Sequence, residues 1–176
     1  MFCYWVDAKA TQGFTRMQNA HVAEIVGRHP RRFVGMATVP LQAPALAIDE
    51  LRHAREGLAL SAVEIGTCPG GRDFDDPALF DFFAACVDLD VAVFVHPAAP
   101  LIGLDRMRRY YFPLIVGNPH ETALASSTLI FGGVLELDRV VLGSDYPFDM
   151  GADDPVRAVE SAELAPAARF LGLPAP

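Results

Sequence analysis

Residues 61–97 read SAVEIGTCPGGRDFDDPALFDFFAACVDLDVAVFVHP, a strand, a loop, a helix and a second strand in close succession. Residues 61–66 are short, β-branched in part and end on Gly66, as a strand does before a turn. Gly70 and Gly71 supply a loop, and Asp75, Asp76 and Pro77 form a helix start: an acidic cap with proline just inside it. From there Leu79, Phe82, Phe83, Cys86 and Leu89 fall on one helical face. Residues 91–95 (VAVFV) then form an uninterrupted apolar run. Such a run is expected of a strand buried on both faces of a parallel sheet.

The same alternation extends in both directions. Upstream, residues 33–39 are a short β-type run. Pro44 follows, placed for a first helical turn, and then Ala47, Leu51, Ala54 and Leu58 at helical spacing, with Gly57 as a terminal breaker. Downstream, residues 105–136 are helical in pattern with an interruption at 117–119. Residues 139–142 (RVVL) form a fourth buried strand, and two short helical stretches close the chain near 155–162 and 165–171. Strands alternating with helices predict a parallel sheet covered by helices, either an open doubly wound sheet or a (β/α) barrel. There is no G-x-G-x-x-G or Walker A element, so a nucleotide fold lacks its phosphate-binding device.

Composition narrows the partners. The 176 residues are 52% hydrophobic and 20% charged, enough apolar material for a core, and the net charge of −8 argues against nucleic acid. No apolar run approaches the roughly 20 residues of a membrane span. The start, MFCYWVDAKATQGF, has neither the basic nor the apolar region of a signal peptide, so a cytoplasmic protein is expected. Cys3, Cys68 and Cys86 are odd in number and widely spaced, which predicts reduced thiols.

In parallel α/β folds the reactive groups gather at the carboxyl ends of strands. That rule singles out Thr67 after residues 61–66, His96 after 91–95, and Asp145 after 139–142. Imidazole and carboxylate are ordinary ligands of zinc, and Asp145 could also exchange a proton beside the ion. Equally, His96 read alone could be a hydrogen-bonded core histidine and Asp145 a turn cap before Pro147. His21, His29 and His53 lie in or just after helical stretches and read as solvated. His120 reads as a capping or surface residue. Ser144 lies in GSDYPF, which is not a G-x-S-x-G nucleophile elbow.

RRFVGMATVPLQAP (31–44), SAVEIGT (61–67), FVHP (94–97), VGNPHET (116–122), GGVLE (132–136) and VVLGSDYPF (140–148) occur in order along nearly the whole chain. Together they resemble the aminocarboxymuconate-semialdehyde decarboxylase family of amidohydrolase-related proteins. The resemblance implies an α/β fold of the (β/α)8 TIM-barrel, metal-dependent hydrolase type. It also implies one divalent ion, usually Zn2+, and nonoxidative decarboxylation of a small-molecule carboxylic acid. By the same resemblance His96 is a metal ligand, Asp145 is the metal-associated catalytic acid, and Tyr111, Phe148 and Met150 line the substrate pocket. Hydrolase or hydratase chemistry is the alternative within the family.

The sequence departs from that family in three places. Leu114 stands where close relatives often carry tryptophan. No H-x-H pair occurs in these 176 residues. The segment that should carry a further histidine between GGVLE and the last strand is replaced by Leu137, Asp138 and Arg139. A complete barrel of this class runs to about 250 residues, whereas four strands are legible here. The expectation is therefore a single incomplete domain over residues 1–176 with about four of eight strands, and an internal deletion near 136–138. Such a chain would bind metal weakly, be impaired or noncatalytic, and self-associate through exposed strand edges.

Overall fold

A computed structural model describes residues 2–98, 105–134 and 157. The chain divides into two compact units, Met1–Ala99 and Pro100–Pro176.

In the first unit Asp7 opens helix α1 (Ala8–Arg28), its carboxylate accepting the N–H groups of Lys9 and Ala10 at 3.1 and 3.0 Å. Strand β1 (Met36–Thr38), helix α2 (Pro44–Arg52), strand β2 (Ala62–Gly66), helix α3 (Phe80–Asp88) and strand β3 (Ala92–His96) follow. The strands form one sheet in the order β1-β2-β3. Both pairings are parallel, with Thr38 opposite Glu64, Glu64 opposite Phe94 and Gly66 opposite His96. This is the geometry expected of consecutive βα units, each helix returning the chain to the start of the next strand.

The local signals operate as read. Pro44 sits in the first turn of α2. The helix widens over His53–Gly57 into a π turn that ends at the glycine predicted to break it. The Asp76 carboxylate accepts the Ala78 N–H at 2.9 Å and caps the turn leading into α3. Along α3, Phe82, Phe83 and Cys86 are buried as the periodicity requires, and Phe83 meets Phe74 and Phe82 edge-on. In β2, Val63 and Ile65 are fully buried, while Ala62 and Glu64 on the opposite face are half-buried. Leu41, Leu51, Leu60 and Leu79 complete this core. The three cysteines form no disulfide, and burial pushes the Cys86 thiol up to about 12.

One expectation changes. Strand β3 is not buried on both faces: Val93 is 36% and Phe94 46% exposed. It is the last strand of the described sheet, and a strand is covered on both faces only where sheet and helices continue beyond it. Helix α1 buries a stripe of Thr11, Thr15 and Asn19 rather than apolar residues.

In the second unit a π turn, Pro113–Gly117, runs directly into helix α4 (Asn118–Phe131), so the predicted interruption at 117–119 is a widened turn and not a break. The fourth predicted strand, 139–142, and the two terminal helical stretches lie outside the described residues. Among the described residues no helix is long and apolar enough to cross a membrane.

Candidate active-site rim

The carboxyl ends of β2 and β3 form one rim. Gly66 and His96 are register partners and the last residues of their strands. Beyond them the Thr67 N–H donates to the His96 carbonyl at 3.2 Å, and the Thr67 hydroxyl oxygen accepts the Ala98 N–H at 3.3 Å. Buried Thr67 thus ties the two post-strand loops together.

His96 is exposed. Its Nδ1 lies 2.8 Å from the Pro97 carbonyl oxygen. That oxygen can only accept, so the contact assigns the ring proton to Nδ1 and leaves the Nε2 lone pair available, the arrangement a metal-ligating imidazole needs. The Phe2 and Phe94 rings flank it, with centroids 6.2 and 6.5 Å away.

Sequence reasoning missed the residues beside His96. Phe2 stacks on Tyr4 with centroids 5.7 Å apart, and the Tyr4 hydroxyl oxygen accepts the Gly66 N–H at 3.0 Å. Burial, together with the nearby Glu64 carboxylate, holds the Tyr4 phenol above its ordinary pKa, while the Gly66 N–H draws it down. The signal was the alternation of aromatic residues at positions 2 and 4.

Of the other predicted site residues, Tyr111 lies among the described residues. Asp145, Phe148 and Met150 lie outside the described residues. Tyr111 belongs to the second unit, where it lines a cavity of about 400 Å3 with Arg108, Tyr110, Pro113 and Leu114. Tyr110 and Tyr111 both take left-handed backbone angles there, φ 57° and 59°, which is rare for residues with a Cβ. His21 and His29 are exposed, in line with their reading as solvated residues, and His120 is exposed as a surface residue, whereas His53 is half-buried. Among the described residues, no three His, Cys, Asp or Glu side chains gather to hold a metal ion. A single imidazole fills one position of a ligand set that normally needs three protein groups.

The parallel βα sheet fits a segment of a (β/α)8 barrel, and the comparisons with known proteins place it in the amidohydrolase class of that fold. The amidohydrolase family profile matches residues 4–137, and the chain belongs to that family. It is 38% identical over 157 residues to 2-amino-3-carboxymuconate-6-semialdehyde decarboxylase of Dictyostelium discoideum, covering 86% of this chain and 44% of the relative. It superposes with a TM-score of 0.72 and 28% identity on 5-carboxyvanillate decarboxylase from Sphingomonas paucimobilis, covering 97% of this chain and 51% of that one. A 5-carboxyvanillate decarboxylase from Novosphingobium aromaticivorans, solved with manganese and 4-hydroxy-3-methoxy-5-nitrobenzoic acid, gives a TM-score of 0.64 at 29% identity. That match covers 70% of this chain and 36% of the other. The chain thus spans about half the length of the relatives it matches.

Proposed function

We infer that this chain carries part of the site of a metal-dependent nonoxidative decarboxylase acting on a small-molecule carboxylic acid. The observation that carries the reading is His96, last residue of β3, with Nδ1 engaged by the Pro97 carbonyl and Nε2 left to coordinate. Similarity to three decarboxylases supports the reaction class. In that reaction the bond between carbon and the carboxylate breaks, carbon dioxide leaves, and the electron pair stays on carbon until a proton arrives. Asp145, in the GSDYPF motif, is assigned as second ligand and proton donor. A bound divalent ion supplies Lewis acidity that stabilises the charge developing on the substrate. Zinc is the ion implied by the resemblance, and the manganese in the Novosphingobium structure supports a divalent ion more broadly.

For the 176 residues taken alone, His96 and Asp145 are two ligands where a catalytic zinc site normally has three. The isolated chain is therefore expected to bind zinc or manganese weakly and to show no measurable decarboxylation of hydroxybenzoates. A hybrid that adds the H-x-H strand the resemblance implies at the front, and a histidine-bearing segment between positions 136 and 139, is expected to gain both properties and to lose them on His96→Ala. A folded hybrid that takes up metal independently of His96, or that hydrolyses amides and decarboxylates nothing, would overturn the reading. Stoichiometric zinc with His96-dependent turnover in the 176-residue chain would overturn the ligand count.

A further inference from the structure

Three features meet at the end of β2. The Phe2 ring lies over Gly66 so closely that a Cβ built there would stand 3.0 Å from two of its ring carbons. Tyr4 stacks on Phe2 and takes the Gly66 N–H on its phenol oxygen at 3.0 Å. His96, across the register from Gly66, has its ring beside Phe2. The segment at residues 2–4 is therefore a wall of the rim.

The direction of the hydrogen bond matters. Because Tyr4 accepts from Gly66, its own O–H remains to be donated. Among the described residues that hydroxyl makes no other hydrogen bond. A part-buried hydroxyl proton without a protein acceptor is satisfied by an oxygen brought in with a ligand. Loss of that proton is disfavoured first by desolvation and then by the Glu64 carboxylate two residues earlier on the strand, so the group stays a donor through the neutral range.

We propose that Tyr4 is a specificity-determining residue of the rim: its phenol O–H donates to an anionic oxygen of a planar carboxylic acid bound beside His96, with the Phe2 ring as the apolar wall. The proposal rests on the reading of the rim as the active site and adds the group that recognises the substrate's charge.

The test uses the full 176-residue chain with manganese and two probes, 2-hydroxybenzoate and its neutral amide, with Trp5 fluorescence as the readout. Trp5 is the sole tryptophan and adjoins Tyr4. Tyr4→Phe keeps the ring and removes the donor. Loss of a charge-assisted hydrogen bond is expected to weaken the acid about tenfold and the amide by less than about twofold. A merely structural role would weaken both alike and would overturn the proposal. Acid binding lost in His96→Ala yet unchanged in Tyr4→Phe would sink the Tyr4 role and leave the site reading standing. Acid binding unchanged in both variants would sink both, and acid binding absent from the parent chain would sink the Tyr4 role. Should Tyr4→Phe melt early, the parent chain decides instead. With ring-labelled tyrosine, the phenol carbon of Tyr4 is expected to shift on addition of the acid and not of the amide. An unmoved signal overturns the proposal.

Discussion

Asn19 and Thr38 exchange two hydrogen bonds: the Thr38 N–H donates to Asn19 Oδ1 at 2.8 Å, and the Asn19 amide donates to the Thr38 carbonyl at 2.9 Å. Thr38 lies in β1, the first strand of the described sheet, so one carboxamide from α1 does for that strand what a neighbouring strand would do. The same Asn19 nitrogen donates to buried Glu50 at 2.9 Å, and Glu50 also accepts from Arg16 Nε at 3.0 Å. Asn19→Ala leaves a backbone N–H, a backbone carbonyl and a carboxylate short of partners. It is expected to cost about 2–4 kcal/mol. Urea unfolding checks this, and a loss below about 0.5 kcal/mol would show that water replaces the amide.

Gly66 is held small by its surroundings. A Cβ there would lie 2.9 Å from the Ala98 Cβ and 3.0 Å from the Phe2 ring. Gly66→Ala is expected to cost about 1–3 kcal/mol, as overpacking does, and to push the 2–4 segment off the rim. A changed Trp5 emission spectrum together with a lower melting temperature is the expected pair of results.

Cys86 gives the fold an alkaline limit. Its thiol is raised from an ordinary 9.0 to about 12 by burial. Below the unfolded value both states hold the proton and the contribution to stability is whole. As pH climbs toward the folded value, only the unfolded chain ionises, and stability falls by at most about 1.4 kcal/mol per pH unit. Cys86→Ala is expected to flatten that limb in denaturation measured between pH 8 and 11. The exposed rate of alkylation should also rank Cys86 last, since Cys3 and Cys68 are only half-buried.

Strand β3 has no partner on its far side among the described residues, and Val93 and Phe94 are exposed. An open strand edge with apolar side chains is an association surface. The chain is expected to self-associate with increasing concentration in sedimentation experiments, and Phe94→Lys to shift it toward monomer. A parent chain that stays monodisperse and monomeric would remove this prediction.

The sequence by itself determined the parts governed by neighbours a few residues apart. Pro44, Gly57 and the Asp76 cap set the ends of their helices, and the spacing of Phe82, Phe83 and Cys86 chose the buried face of α3. Short apolar strands alternating with helices also determined the parallel sheet, because a helical return leaves consecutive strands pointing the same way. The position of His96 was legible because a strand's end is a local feature; Asp145 follows from the same rule, Phe148 and Met150 from the resemblance alone, and all three lie outside the described residues. Only the tertiary structure decided what meets what. Tyr4 reaches Gly66 across 62 positions and Asn19 reaches Thr38 across 19, and no periodicity encodes such pairings. The polar stripe of α1 was invisible for the same reason: buried Thr11 and Asn19 meet hydrogen-bond partners far along the chain, Gln42 and Thr38, while buried Thr15 donates to the Gln12 carbonyl within the helix. The apolar run of β3 marked a strand, but its exposure depends on whether sheet and helices continue past it, and that is a property of the assembled fold.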